Sequence, residues 1–314
     1  MNFAHTGVAI VGSANMDIVF SVDRAPSPGE TVLAATASLY PGGKGLNQAV
    51  ASVRSGAETV FVGAIGNDSH GETLAGVITA DGIDGSLLRR VADPTGQAFI
   101  VVDGHGENTI IVASGANGTV VELSPQERAA IAASAVLLMQ LELPIRTVIE
   151  AAEVAAAAGT TVMLNAAPAQ SLPAELFSLI DYLIVNEHEA CLIAGDDDVE
   201  VASLALAAVV GRLIVTLGSA GSALYDGGAI VEQVTAFVVT PVDTTGAGDT
   251  FCGAFAAAIA EGGQFIAAAE FATAAAALSV QTLGAVPSVP QRSETLQLAA
   301  TRPLTIAGAV HPTQ

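Results

Sequence analysis

Four short apolar runs, AVLLMQLEL, TVMLNAAPA, YLIVNEHEA and RLIVTLGSAG, constrain the fold of this 314-residue chain more than any other feature. Each is a near-continuous stretch of Val, Ile and Leu that stops at polar residues or glycine, and Ala-rich stretches with helical spacing lie between them. A strand apolar on both faces needs cover on both faces, which parallel sheets sandwiched by helices provide. Strand and helix alternating in this way predict an α/β protein, a three-layer α/β/α fold around a mainly parallel sheet. The N-terminal GVAIVGSANMDIVF adds another buried strand. It is followed by a helix over NQAVASVRSGA, the strand TVFVGAIG and a helix over LAGVITADGI.

Two segments break the pattern. ETVLAATASLYPGG alternates weakly, and QAFIVVDGHGENTIIVASGAN reads as two β-rich runs joined by a Gly-rich turn, so both predict antiparallel strands. We expect residues 15–42 and 97–116 to form a small β-sheet lid with one exposed apolar face. Residues 1–14, 43–96 and 117–300 then make the α/β body, and residues 301–314 a loose extension. Phe99, Ile110 and Ala113 read as lid core, and Glu107 and Asn108 as turn residues.

The net charge of −21 excludes nucleic acid as a partner, because nine Arg and one Lys cannot assemble a basic face. The start lacks a basic signal region, and residues 271–291, as long an uncharged run as any in the chain, are too polar to span a membrane. Two cysteines, Cys191 and Cys252, make no disulfide framework and read as buried filler in a reducing cytoplasm. The five histidines lack metal-ligand spacing.

Ligands of parallel sheets sit beyond the carboxyl ends of the strands. Polar residues follow those ends here: Asn15, Asp17, Glu142, Asn165, Asn186, Glu189 and Thr216. The richest stretch is VVTPVDTTGAGDTFCGAF, where a strand leads through Gly246, Ala247 and Gly248 into a helix from Asp249. Glycines admit a close ligand, and the open N–H groups of a helix start attract anions. Asp249 is an ordinary helix-start residue on one reading. Beside a phosphate cradle it is also a base for an attacking hydroxyl, and phosphoryl transfer needs both parts together. Lys44, the only lysine, stands in YPGGKGLNQAV. It is either a solvated survivor of a Lys-poor composition or an ammonium carried to the sugar and the moving phosphate by a permissive backbone.

In order, GGKGLNQAVA, LLMQLE, LNAAPA, VNEHEA, VTLGSAGS, DTTGAGDTFCGAF and GAVPSVP resemble the ribokinase branch of the ribokinase-like carbohydrate kinase family, over the chain to about residue 295. Neither G-x-x-x-x-G-K-[ST] nor a dinucleotide G-x-G-x-x-G after the first strand occurs. The resemblance implies ATP-dependent phosphorylation of D-ribose at its 5-hydroxyl, with 2-deoxyribose, another sugar or a nucleoside as alternative acceptors and a non-catalytic sugar-binding regulator as a further reading. It implies Asp249 as base with Gly246, Ala247 and Gly248 as anion hole. Asn15, Asp17, Gly43, Lys44, Gly45, Asn47 and Glu142 match the sugar site. Asn186 and Glu189 match an Asn-x-x-Glu motif serving Mg²⁺ and the nucleotide phosphates. Thr216, Leu217, Gly218, Ser219, Ala220 and Gly221 match the nucleotide loop, with Thr273 near the adenine. A K⁺ site is implied at Asp243, Thr245, Ser279, Thr282, Gly284 and Ser288. From the exposed lid face we expect a homodimer.

Overall fold

The computed structural model describes residues 5–105 and 108–302. Glu107 and nearly all of the expected C-terminal extension lie outside the described residues. The chain forms strands β1 (Val8–Val11), β2 (Asn15–Ser21), β3 (Thr36–Gly42), β4 (Thr59–Gly66), β5 (Leu88–Val91), β6 (Gly96–Val102) and β7 (Asn108–Ala113). It continues through β8 (Val136–Met139), β9 (Thr161–Asn165), β10 (Tyr182–Asn186), β11 (Arg212–Thr216), β12 (Ser222–Asp226) and β13 (Ala229–Val234). The larger sheet has the order β13-β12-β11-β10-β9-β8-β1-β4-β5, and only the β11–β12 and β12–β13 pairings are antiparallel.

The period-2 alternation of each strand divides the core in two. Val8 and Ile10 of β1 enter one apolar cluster with the helices Lys44–Arg54, Ala247–Ala260 and Phe265–Ser279. Ala9 and Val11 enter the other, with Ile145–Ala158 and Val199–Ala207. Both faces being covered is why the four diagnostic runs, now β8 to β11, are apolar through their central positions, with polar residues only at strand ends.

β3, β2, β6 and β7 make the separate small sheet. The sequence predicted antiparallel pieces, and β2–β3 and β6–β7 are antiparallel, but the middle pair β2–β6 is parallel. β2 follows β1 and β6 follows β5 after a few residues, and β1 and β5 both run parallel to β4, so both lid strands leave the body from the same side. Ile110 and Ala113, expected as lid core, are exposed on the outer strand β7, with Ile110 at 51% exposure and Ile111 at 67%. That strand pairs on one side only.

Candidate active site

A cavity of about 140 Å³ opens at the carboxyl ends of β9 to β11, walled by Asn165, Asn186, Glu189, Thr216, Lys44 and the turn at Gly246–Asp249. Its size suits a phosphoryl group and the end of an acceptor rather than a whole nucleotide.

Asp249 lies in the first turn of the helix Ala247–Ala260, which starts two residues before the position expected from sequence. Only 8% exposed, it turns its carboxylate toward the N-terminal part of the helix Lys44–Arg54. Asn47 Nδ2 donates to Oδ2 and Gln48 Nε2 to Oδ1, each at 2.9 Å. The helix start beside it is a set of open donors. Gly246, with φ +75°, turns the chain into the helix in the left-handed region that glycine tolerates. Ala247 N donates to the Thr244 carbonyl at 3.3 Å, whereas the amides of Gly246, Gly248 and Asp249 meet no acceptor among the described residues. Of the expected anion hole, the Ala247 amide is therefore the one already engaged.

A second group of acids lies where the lid meets the body. Glu142 Oε2 accepts from Ser13 Oγ, from Asn15 Nδ2 at 3.4 Å and from the Lys44 amide at 3.2 Å. Asn117 Nδ2 donates to Asn15 Oδ1 at 2.7 Å and fixes which way that amide faces. The side-chain carboxylate of Asp17, a residue only 8% exposed, accepts no hydrogen bond among the described residues. Burial, reinforced by the charges of Glu142 and Asp249 and opposed by Lys44, pushes its carboxyl up to about 7.

Lys44 is the first residue of its helix, where a cation opposes the helix dipole, so helix stability does not explain it. Gly43 before it has φ +90°, and a β-carbon there would come 2.6 Å from the Asn15 amide. This closeness sets Lys44 between the two acidic groups. Burial works against the ammonium, but Asp249, Glu142 and Glu189 outweigh it and raise its pKa above the ordinary lysine value. Among the described residues it forms no ion pair.

On the far wall, Asn186 and Glu189 form a capping box. Asn186 Oδ1 accepts from the Glu189 amide and Glu189 Oε2 from the Asn186 amide, each at 2.8 Å. The other Glu189 oxygen stays uncommitted, and burial first, then Asp249, raises that carboxyl above its ordinary value against the pull of the Asn186 amide, Lys44 and His188. Beyond β11, Thr216 to Gly221 form a tight turn closed by Leu217 N donating to Gly221 O at 2.7 Å, with Gly218, Ser219 and Ala220 exposed. Thr273 is buried in the helix Phe265–Ser279, and its hydroxyl donates to the Ala269 carbonyl at 2.8 Å. Asp243 staples two loops, accepting from the Thr245 amide at 2.9 Å and from the Gly284 amide at 2.8 Å. Ser279 ends the helix Phe265–Ser279, and Thr282 and Ser288 lie on either side of Gly284 in the segment that follows it.

Residues 5–292 match the family described as pfkB family carbohydrate kinase. A ribokinase of Haemophilus influenzae is 42% identical over 298 residues, which cover 92% of this chain and 97% of that one. The chain belongs to the pfkB carbohydrate kinases. A deoxyribokinase of Salmonella typhi is 32% identical over 306 residues, 93% of this chain and 99% of that one. Among solved structures, the ribokinase of Arabidopsis thaliana complexed with ribose and ATP superposes with a TM-score of 0.87 at 36% identity, over 94% of this chain and 99% of that one.

The site also contains buried amides that motif reading passed over. Gln48 is fully buried, as are Gln140 at 1% exposure and Asn117 at 1%. The available signal was their polarity inside apolar surroundings, since a buried amide needs partners. Among the described residues no helix is long and apolar enough to cross a membrane.

Proposed function

We propose that the chain transfers the terminal phosphoryl group of ATP to the 5-hydroxyl of D-ribose, with Asp249 as general base. The observation that carries this reading is the Asp249 carboxylate, gripped by Asn47 and Gln48, beside the open amides of Gly246, Gly248 and Asp249 itself. One group takes the proton of the alcohol while the amides and Lys44 take the charge of the moving phosphoryl. Asp17, without an internal partner, is suited to accept from neighbouring sugar hydroxyls, and Asn15, Gly43, Gly45, Asn47 and Glu142 complete the sugar site. The exposed turn at Thr216 to Gly221 is assigned to the nucleotide, with Thr273 beneath the adenine as packing, since its hydroxyl is committed to Ala269.

The oxygen-only donors of Asn186 and Glu189, one carboxylate oxygen of which is free, fit Mg²⁺ held through water. When bound, that ion neutralises nucleotide charge. The oxygens of Asp243, Thr245, Ser279, Thr282, Gly284 and Ser288 fit K⁺, whose fixed charge would steady the loop leading to Gly246. In this reading β2, β3, β6 and β7 are a lid that excludes water, and a second copy covers the apolar side chains of β7 and Leu39, which is 58% exposed. Two cysteines that form no disulfide, Cys191 and Cys252, support a reducing cytoplasm as the working compartment.

ADP release measured with ribose, 2-deoxyribose, fructose and adenosine tests the acceptor. The reading requires the highest kcat/KM with ribose and loss of turnover in Asp249→Asn by at least about a thousandfold, with ribose still bound. Preference for 2-deoxyribose would move the assignment to the activity named for the Salmonella typhi relative.

A further inference from the structure

Gln48 has no part in the roles above beyond its contact with Asp249, yet every polar atom of its buried side chain is engaged. Its Oε1 accepts from Gln140 Nε2 at 2.6 Å, and its Nε2 donates to Asp249 Oδ1 at 2.9 Å and to Asn165 Oδ1 at 3.1 Å. Asn165 Nδ2 in turn donates to the Ile184 carbonyl at 3.2 Å. Gln140 follows β8, Asn165 ends β9 and Ile184 lies in β10, so a ladder of neutral amides crosses three adjacent strand ends and terminates on the carboxylate. The ladder has one direction. Reversing the Gln48 amide would set its N–H against the Gln140 N–H, and its oxygen against the oxygens of Asp249 and Asn165.

We propose that Gln48, locked by Gln140, is a positioning residue that fixes the Asp249 carboxylate for proton abstraction. Asn47 and Gln48 hold one oxygen each, so the loss of either leaves the carboxylate free to rotate about its last bond. Neutral donors suit this task. The cleft already gathers Asp17, Glu142, Glu189 and Asp249 around the single cation Lys44, and an N–H orients a base without adding a competing charge. The inference rests on Asp249 being the base.

The test compares Gln48→Met, which keeps length and volume but lacks a donor, with Gln140→Met, the double variant, Gln48→Glu and Asp249→Asn. Steady-state kcat and KM, ribose binding by calorimetry and thermal unfolding are read for each. A misplaced base lowers the kcat of Gln48→Met about 10- to 100-fold with ribose affinity close to that of the parent, while the Gln140 and Asn165 groups left unpaired lower the melting temperature. Gln140→Met loses less, and the double variant is no slower than Gln48→Met, because both act through one path. Gln48→Glu still accepts from Gln140 but turns an oxygen toward Asp249, and is at least as slow. If Gln48→Met does not fold, Gln48→Glu decides on the same kcat criterion. Parental kcat in either Gln48 variant, or fully additive losses in the double variant, overturns the role of Gln48 alone. A fully active Asp249→Asn removes the base and this inference with it.

Discussion

The carboxyl group of Asp17 occupies the space that a side chain on Gly42 would fill: a β-carbon built on Gly42 comes 2.5 Å from the Asp17 carboxyl carbon. Gly42 ends β3 and pairs with Asn15 at the start of β2, so the lid strands are packed around the acid where they join the body. The carboxyl group thus packs directly against the Gly42 backbone, and only glycine leaves it that room.

Gly42→Ala therefore displaces the Asp17 carboxylate. Loss of one charge-assisted contact predicts a rise in the ribose KM of about tenfold or more, with the KM for ATP little changed. Steady-state kinetics with each substrate varied in turn decides it.

Asp17 also predicts a pH dependence. Only the ionised carboxylate accepts from two hydroxyls, and its pKa in the free protein is about 7. Ribose affinity should fall roughly tenfold per pH unit below that value, a dependence that Asp17→Asn abolishes, as calorimetry at pH 6 and 8 would show. For stability the sign is opposite. A carboxyl raised from 3.8 to about 7 by folding favours the neutral form, so its destabilising effect grows as pH rises through that window and is complete above it. Asp17→Asn should consequently gain melting temperature relative to the parent at pH 8 but not at pH 4.

Lys44→Arg keeps the charge and changes its shape. In a cavity of about 140 Å³ the planar guanidinium cannot take the place of a compact ammonium between Asp249 and Glu189. We expect kcat to drop about 10- to 100-fold, with the variant as stable as the parent in thermal unfolding.

Asp243→Ala releases two amides, those of Thr245 and Gly284, and so loosens the loop that leads to Gly246. Among the described residues that loop then keeps only the Val242 and Asp243 amides on the Val280 carbonyl as backbone ties to the segment after the helix Phe265–Ser279. Hydrogen exchange at residues 243–249 should accelerate, kcat should fall at least about tenfold, and any stimulation by K⁺ should vanish. Unchanged exchange there would show that the staple does not order the loop.

The sequence disclosed those parts of the protein that obey local rules. β8 to β11 announce themselves because the central positions of a strand covered on both faces must all be apolar, whichever face they point to. The Gly246 to Asp249 turn is legible because glycine and a helix start have fixed backbone requirements. Asp17, Asn15 and Glu142, which the structure brings together, could be picked out as candidates by their place after strand ends. Gln48, Gln140 and Asn117 were not, since a polar residue within a helix or after a strand looks solvated until its burial is known.

The sequence by itself determined the parallel body, the existence of a separate small sheet and the chemical groups available at the helix start, since periodicity and backbone preference act within a dozen residues. Only the tertiary structure decided that β2 and β6 run parallel, that Ala247 gives its amide to Thr244 while Gly248 and Asp249 keep theirs open, and that Gln48 meets Asp249 across 201 positions of chain. Such choices depend on how distant segments are set against one another in the packed core, and no local period encodes that placement.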